Sequence, residues 1–453
     1  MKKFLFMVAV GILTAAMMAC NPMDALKKTV SVGEQSATIV AGTARTVTFP
    51  VTTERIANGA SGSITWYPPG GVGGVFNPSP IAPPVWVTTA SVSAVESNKA
   101  TVTITVAASA VAGTHRFRVT IDGVESDLMW LTVSTFSQGN GTQANPYIIN
   151  TPAQLDAVRN NQYSYFKLGQ NIDLTSYLAV GGAGYVKWGS EGWEPMGSGS
   201  GFDGAGYKIT GLWINRPSTD DIGLFAGLGG CVQNLGVEIA NGGQIRGRAT
   251  VGGIVGSVNG EGAKIINCYV TGNVSGTGYW VGGLAGWVNK GSVINCYTTC
   301  TVTGNQSVGG LIGNISNSGS VINCYATGNV ISNGSYAGGV VGDMSGGGII
   351  TDCVALNPSV TSISSSIGRV SSRSGVLANN WARNNMTVTV NGVIKTLVKG
   401  NNQVDGEDCD ATPSESWWTI ASPSGPGWNL SGTTANPWKW SNALSRPVLY
   451  WQE

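Results

Sequence analysis

Residues 281–297 read VGGLAGWVNKGSVINCY, and copies of this stretch recur about every 28 residues between 222 and 382. Each copy opens with two adjacent glycines and a third glycine three positions later. It closes with an Asn-Cys pair or its equivalent. A fixed period in this range is typical of stacked units that bury a continuous core only together. The repeat glycines are Gly252, Gly253, Gly256, Gly282, Gly283, Gly286, Gly309, Gly310, Gly313, Gly338, Gly339 and Gly342, and the closing pairs are Asn267-Cys268, Asn295-Cys296, Asn323-Cys324 and Asp352-Cys353.

The composition of these units favours strands over helices. They are dense in Gly, Asn, Ser, Val and Ile, and they lack an apolar stripe at 3.6-residue spacing. Short apolar runs broken by turn residues fit two or three short strands per unit. We therefore predict an all-β chain whose main part is a right-handed parallel β-helix with one repeat per coil. Equivalent Asn side chains can then bond along a ladder, and the small Cys side chains fit a narrow interior as free thiols.

The repeats resemble the GLUG motif, which is known from bacterial surface proteins such as filamentous-haemagglutinin-like adhesins. The tetrapeptides at 283–286 and 310–313 match its Gly-Leu-any-Gly core. The flanks, including FDGAGYKI at 202–209, resemble the entry coils of GLUG and pectin-lyase-like β-helices. The resemblance covers residues 139–453 and implies a β-helix over 139–390 followed by a Trp-rich cap over 391–453. Degenerate units at 222–235 and 367–381 are expected to cap the repeats.

The N-terminus resembles a bacterial lipoprotein signal. Lys2 and Lys3 precede an apolar stretch that is too short to span a bilayer, and residues 17–20 resemble a lipobox ending at Cys20. This predicts a signal peptide over 1–19, an acylated Cys20 and a linker over 20–28. Asn21 follows the cysteine, and the absence of Asp there favours the outer membrane under the Gram-negative sorting rule. An ordinary cleaved signal with a chance cysteine is the alternative.

Residues 29–135 have a different sequence pattern from the repeats. Residues 101–106 and 115–121 alternate between apolar and polar side chains, and Asp122-Gly123 is a hairpin signal with its partner strand at 128–133. The pattern predicts an immunoglobulin-like sandwich, and residues 112–119 resemble bacterial Ig-like domains in which Tyr often stands at the position of His115. Such domains commonly act as spacers.

Composition narrows the function classes. Charged residues are 11% of the 453-residue chain and the net charge is +1, so nucleic acid is not expected as a partner. His115 is the only histidine, which excludes Ser-His-Asp, Cys-His and two-His metal sites from the repeats. We expect no cofactor and no metal.

A polysaccharide-cleaving β-helix enzyme needs only acids, clustered on neighbouring coils. Asp352 aligns with the ladder Asn residues and Asp343 with Ser257, so these two acids are predicted to lie on different ladders. Asp220 and Asp221 are adjacent in sequence and are interpreted as a solvated pair. The candidate acids are Asp203, Asp220, Asp221, Glu238, Glu261, Asp343 and Asp352.

Six tryptophans crowd the C-terminal region: Trp417, Trp418, Trp428, Trp438, Trp440 and Trp451. We expect them to plug the open end of the helix, where an exposed core would template aggregation. The alternative is that exposed rings stack on sugars.

Taken together, the sequence predicts a lipid-anchored, adhesin-like surface protein that binds a host or bacterial surface ligand, a glycan among the candidates. It is not expected to be an enzyme. A polysaccharide-degrading enzyme and a purely structural envelope protein are the alternatives.

Overall fold

The computed structural model describes residues 27–41, 43–68, 79–108, 110, 112–198 and 200–452. The chain divides into two compact units, Met1–Ser137 and Gln138–Glu453. Within the described ranges, every helix is too short or too polar to cross a membrane. The predicted signal peptide, Cys20 and most of the linker lie outside the described residues.

The first unit is built from two sheets that share one apolar core, and their strands are antiparallel apart from the parallel pair of Ile39–Val40 with Met129–Ser134. The strands are β1 Thr29–Val32, β2 Ile39–Val40, β3 Arg45–Glu54, β4 Gly62–Tyr67, β5 Val87–Val92, β6 Lys99–Val106, β7 Gly113–Ile121, β8 Val124–Glu125 and β9 Met129–Ser134. One sheet has the order β1-β3-β6-β5, and the other has the order β2-β9-β7-β4 with β8 beside β7. Strand β6 alternates buried side chains with exposed or half-buried ones, as its sequence pattern predicts.

The hairpin at Asp122-Gly123 forms, with both residues at positive φ. Strand β9, Met129–Ser134, pairs antiparallel with the beginning of β7, which confirms the partner strand predicted at 128–133. Between the turn and β9, the short β8 pairs with the end of β7.

The second unit is a parallel β-helix, which confirms the predicted fold class. One coil supplies Val255–Asn259 to sheet I, Lys264–Ile266 to sheet II, Tyr269–Thr271 to sheet III and Asn273–Gly276 to sheet IV. On the next coil Tyr297 pairs with Tyr269, and Tyr325 then pairs with Tyr297. Equivalent repeat residues are thus direct neighbours along the stack, so each repeat is one coil.

The four sheets run the length of the unit. Sheet I contains Met196–Ser198, Phe225–Leu228, Val255–Asn259, Ala285–Asn289, Ile312–Ser316 and Val341–Met344. Sheet II contains Tyr147–Ile149, Tyr165–Leu168, Gly201–Asp203, Cys231–Gln233, Lys264–Ile266, Ser292–Ile294, Ser320–Ile322, Ile349–Thr351 and Val376–Ala378. Sheet III contains Ile172–Asp173, Lys208–Leu212, Gly236–Ile239, Tyr269–Thr271, Tyr297–Thr298, Tyr325–Ala326, Val354–Ala355, Trp381–Arg383 and Glu407–Cys409. Sheet IV contains Ile214–Asn215, Ile245–Gly247, Asn273–Gly276, Tyr279–Gly282, Thr301–Gly309, Val330–Gly338, Ser359–Ser362, Ile367–Gly368, Thr387–Val390 and Val393–Ile394.

The remaining elements are short. The helices are Pro152–Asp156, Thr175–Leu178, Ala183–Trp188 and Glu415–Trp418, with 3-10 turns at Ala157–Asn160 and Gly189–Glu191. Two antiparallel strands, Trp438–Ser441 and Arg446–Leu449, lie near the C-terminus.

The stack continues past the predicted boundary at residue 390, because Glu407–Cys409 adds a further strand to sheet III. At this end Arg369 replaces the second glycine of the repeat phrase, and its side chain is fully buried. Its guanidinium donates to the carbonyl of Asp405 at 2.7 Å and to the carboxylate of Asp408 at 2.7 Å. Lys395 pairs with the buried Asp405 carboxylate at 3.2 Å. Paired charges, and not the predicted tryptophan plug, therefore fill the last coil.

Candidate functional site on the outer face of the helix

The predicted Asn ladder forms at the turn between sheets II and III. Asn267 donates to Asn234 at 3.1 Å, and Asn295 donates to Asn267 at 3.2 Å. Every ladder residue from Asn234 to Asn379 has φ between 51° and 54°, a left-handed conformation that Asn and Asp adopt more readily than other side chains. Asp352 takes the same place and accepts a bond of 2.7 Å from Asn379. The ladder is a structural turn.

The cysteines of the repeats point into the core beside this ladder. The backbone N–H of Cys268 donates to Sγ of Cys296 at 3.4 Å, and that of Cys296 donates to Sγ of Cys324 at 3.3 Å. All seven cysteines of the described residues are free thiols. Burial raises the pKa of the Cys296, Cys300 and Cys353 thiols above the usual value. Cys296, Cys300 and Cys353 are therefore small apolar spacers and poor nucleophiles.

We expect iodoacetamide to leave the repeat cysteines of the native Cys20→Ser protein unmodified. Cys231 is half-buried, and burial with the nearby Cys268 raises its pKa to about 11, so it should react slowly but first. Unfolding in guanidinium should expose all seven thiols. Intact-mass measurement counts the labels, and rapid native labelling of Cys268 or Cys296 would contradict the buried ladder.

The repeat glycines are required by close backbone approach. A Cβ on Gly283 would lie 2.4 Å from the carbonyl oxygen of Gly310, and one on Gly310 would lie 2.1 Å from that of Gly339. The third glycine of each phrase faces the corner of the preceding coil, since a Cβ on Gly313 would meet the carbonyl carbon of Trp280 at 2.4 Å. The three-glycine pattern recurs because the same three close backbone contacts occur on every coil.

The C-terminal tryptophans lie along the side of sheet III and do not plug its end. Tyr269, Tyr297 and Tyr325 form a stack on the outer face of this sheet, with ring centroids 5.2 and 4.8 Å apart. Trp438 packs on Tyr325 at 5.7 Å, and Trp451 packs on Tyr269 at 5.6 Å. We name residues 415–452 the strap, because they return over several coils from the last coil.

The strap buries its rings, as the capping interpretation predicts. Trp418, Trp428 and Trp438 are at most 3% exposed. Trp417 packs at 5.3 Å from Trp381, near the end of the helix where the cap was predicted. Trp438 and Trp451 instead pack along the tyrosine stack, so the cap lies largely on the side of the helix and not on its end. The hydroxyl of Tyr325 donates to the carbonyl of Pro447 at 2.7 Å, which fixes the register of the strap. These tryptophans therefore offer little ring surface to a sugar.

The candidate acids are spread over several sheets. Glu238 lies in sheet III, where it pairs with Lys208 at 3.0 Å and accepts from the hydroxyl of Tyr269 at 2.9 Å. Asp203 ends a strand of sheet II and accepts a bond of 3.1 Å from Asn234. Asp343 lies in sheet I. No group of three or more His, Cys, Asp and Glu side chains suited to a metal ion occurs in the part of the chain that the structure describes.

Sheet I carries an outer ladder of polar and aromatic side chains. Trp287 pairs in register with Ser257 on one side and Asn314 on the other, and Asn314 pairs with Asp343. A second ladder runs beside it at the corner between sheets IV and I. Its members all have positive φ: Asp221, Thr250, Trp280, Ser307 and Tyr336. The two ladders together form a continuous strip along the helix, which we name the sheet I strip.

An aromatic cluster stands at the centre of this strip. The rings of Trp280 and Trp287 stack with centroids 4.9 Å apart and an interplanar angle of 28°, and Tyr279 meets Trp280 edge-on at 4.8 Å. Tyr279 is 42% exposed, and both tryptophans are half-buried. The indole N–H of Trp287 donates to the hydroxyl of Ser316 at 2.8 Å. We name Tyr279, Trp280 and Trp287 the platform.

A polar group lies two coils beyond the platform. Asn314 donates to the carboxylate of Asp343 at 3.4 Å, and Arg373 pairs with the same carboxylate at 3.5 Å. The guanidinium of Arg373 lies over the ring of Tyr336, 4.1 Å from its centroid. Burial raises the pKa of Asp343, and the Arg373 charge opposes this shift only in part. At the opposite end, burial raises the pKa of Asp221 near Asp220.

Sequence analysis missed the platform as a site. The repeats align Trp287 with Ser257, Asn314 and Asp343, so an indole in an otherwise polar ladder was the available signal. Trp280 gave no comparable signal, because its contact with Trp287 depends on the corner geometry between sheets IV and I.

Comparison with known proteins identifies the repeat. Residues 304–331 match the family model of the GLUG motif, which confirms the predicted resemblance of this repeat to that motif. A putative Gly-rich membrane protein of Evansella cellulosilytica is 45% identical over 111 residues, and halomucin of Haloquadratum walsbyi is 33% identical over 172 residues. These matches cover 22% and 34% of this chain, and the chain spans 12% and 2% of the two relatives. No solved structure matches.

Proposed function

We propose that this protein is a cell-envelope protein that binds a surface ligand through the sheet I strip. The observation that carries the proposal is the contrast between two aromatic clusters. The strap covers the tyrosine stack of sheet III, whereas Tyr279 of the platform, at the corner between sheets IV and I, is 42% exposed. A rigid stack of coils with one aromatic–polar strip presents an extended surface of the kind that solenoid proteins use for binding.

Anchoring through an acylated Cys20 is the second part of the proposal. The relatives named as a membrane protein and as halomucin support a location at the cell surface. We expect Cys20→Ser to move the protein from the membrane fraction to the soluble exported fraction, because the acyl chains can no longer be attached. Cys231→Ser is the control and should stay in the membrane fraction. Unchanged membrane association of Cys20→Ser would reject the lipid anchor.

The first unit fits the proposed role of an Ig-like spacer. Its sheet orders, β1-β3-β6-β5 and β2-β9-β7-β4, are the orders expected of an immunoglobulin-like sandwich. His115 packs edge-on against Trp86, with centroids 4.7 Å apart, which supports a structural role for this residue.

Binding without cleavage is the proposed activity. Glycosidases hold two carboxyl groups about 5 to 9.5 Å apart. On the sheet I strip, Asp221 bonds to Ser257, and Ser257 lies three ladder positions from Asp343. At one coil rise of about 4.8 Å per position, the two acids are separated by roughly 14 Å. This spacing disfavours a hydrolytic pair.

The test is a screen of the exported protein against immobilised glycans and intact bacterial and host cell surfaces, with reducing-sugar release measured in parallel. We expect binding without sugar release. Release of reducing sugar would favour the enzyme alternative. Absence of both binding and release would favour the purely structural alternative.

A further inference from the structure

We propose that the sheet I strip binds an uncharged pyranose chain that lies along the helix axis, with the platform as its central subsite. This inference rests on the proposed function and names its ligand class. Stacked indole rings offer flat apolar faces to the C–H face of a pyranose ring. The Ser257, Asn314 and Asp343 side chains are buried, so the polar groups open to sugar hydroxyls are those of the exposed Asp221 and Arg373.

The platform is built at a backbone position that does not favour aromatic residues. Trp280 has φ 61° and Tyr336 has φ 63°, a region costly for bulky L-residues. Thr250 and Ser307 occupy the same corner on the neighbouring coils, both at φ 55°. The fold therefore requires this backbone conformation at the corner but does not require an aromatic side chain there. Strained residues of this kind cluster at ligand clamps. Trp280 and Tyr336 therefore point to a ligand outside the fold.

The spacing of the strip suits a repeating ligand. Successive ladder positions are one coil apart, about 4.8 Å. Trp280 and Tyr336 are two positions apart on the corner ladder, since Ser307 lies between them, so the two rings stand roughly 10 Å apart along the axis. On the coil between them, Asn314 is buried and donates to Asp343. A chain of linked sugar rings can therefore meet aromatic side chains at two positions along the axis.

The charges along the strip disfavour an anionic ligand. Arg373 pairs with Asp343 and lies over the ring of Tyr336, and Arg248, next to the strip, pairs with Asp220. Asp221 is exposed and takes part in no ion pair within the described residues. A polyuronate would need unpaired cations to offset its carboxylates, so we expect an uncharged ligand.

The test compares Trp287→Ala and Trp280→Gly with a control variant in the full exported chain. The control is Trp130→Ala, since Trp130 is 52% exposed and lies in the first unit. Cellohexaose and chitohexaose serve as uncharged probes and hexagalacturonate as the anionic one, titrated by calorimetry. We expect an uncharged hexasaccharide to bind, both platform variants to bind it about 10-fold more weakly or worse, and Trp130→Ala to bind as the unsubstituted protein does.

Stability distinguishes a binding role from a structural one. We expect both platform variants to melt within about 3 °C of the unsubstituted protein, because glycine relieves the strained corner at 280. The inference is overturned by any of four results: preferential binding of hexagalacturonate, binding of none of the uncharged probes, undiminished binding by Trp287→Ala, or a large loss of stability in both variants. If Trp287→Ala still binds the cell surfaces or glycans found in the screen, the proposed function stands and this inference alone fails.

Discussion

Gly310→Ala is expected to destabilise the β-helix by about 3 kcal/mol or more. A Cβ at this position would lie 2.1 Å from the carbonyl oxygen of Gly339 on the next coil and 2.9 Å from the side chain of Asn357. Neither coil can move aside, because each is bonded to its neighbours on both sides. Chemical unfolding followed by circular dichroism measures the loss.

The matched control is Gly262→Ala, in the turn between sheets I and II. A Cβ at Gly262 meets no atom within 4 Å. The free energy of unfolding of the Gly262→Ala protein should therefore change by no more than about 0.5 kcal/mol. If the Gly310→Ala protein were as stable as the Gly262→Ala protein, the claim that successive coils approach closely at the repeat glycines would be wrong.

Trp438→Ala is expected to cost about 3 to 5 kcal/mol, the usual range for a buried aromatic side chain. Trp438 is 2% exposed and stacks on Trp428 with centroids 4.6 Å apart. Its loss opens a cavity beneath the strap and uncovers Tyr297 and Tyr325, with which it also packs. We therefore expect a lower melting temperature and, on warming, aggregation detected by light scattering.

Two variants control this prediction. The indole nitrogen of Trp438 has no hydrogen-bond partner in the structure, so Trp438→Phe should retain most of the stability. Trp130→Ala removes an exposed ring and should be nearly neutral. A Trp438→Ala protein that stays fully stable and monomeric would show that the strap does not hold the tyrosine stack covered.

The coil architecture could be predicted from sequence because each coil repeats the same local requirements. The phrase Gly309-Gly310 with Gly313 encodes three backbone contacts, and Asn295 encodes a left-handed turn that favours Asn. These requirements act over a few residues and one coil, so the period of about 28 residues reports them directly.

The position of the strap could not be predicted in the same way. Gln452 bonds to the hydroxyl of Tyr297 at 2.6 Å, across 155 residues of sequence. Nothing local to either residue specifies that contact, which depends on how many coils separate the tyrosine stack from the C-terminus. The charged end of the helix could not be predicted for a related reason. In the sequence, Arg369 only replaces a repeat glycine, and its contact with Asp405 is visible only in the folded chain.

The platform could be predicted from the sequence only in part. The alignment of repeats places Trp287 correctly on an outer ladder, but its partner Trp280 joins it only through the corner between sheets IV and I. In the strap, Trp418, Trp428 and Trp438 are buried, and the other tryptophans are half-buried. Trp280 and Trp287 are half-buried too, so the exposed Tyr279 is what distinguishes the platform.

The central claim is that the aromatic side chains of sheet III hold the fold and those of sheet I bind the ligand. Melting temperature and affinity for the bound uncharged hexasaccharide, measured side by side for Trp438→Ala and Trp287→Ala, test it most directly. We predict that Trp438→Ala loses stability while its folded fraction keeps its affinity, and that Trp287→Ala keeps its melting temperature while losing affinity. If the two variants lose the same property, or if their roles are reversed, the claim is contradicted.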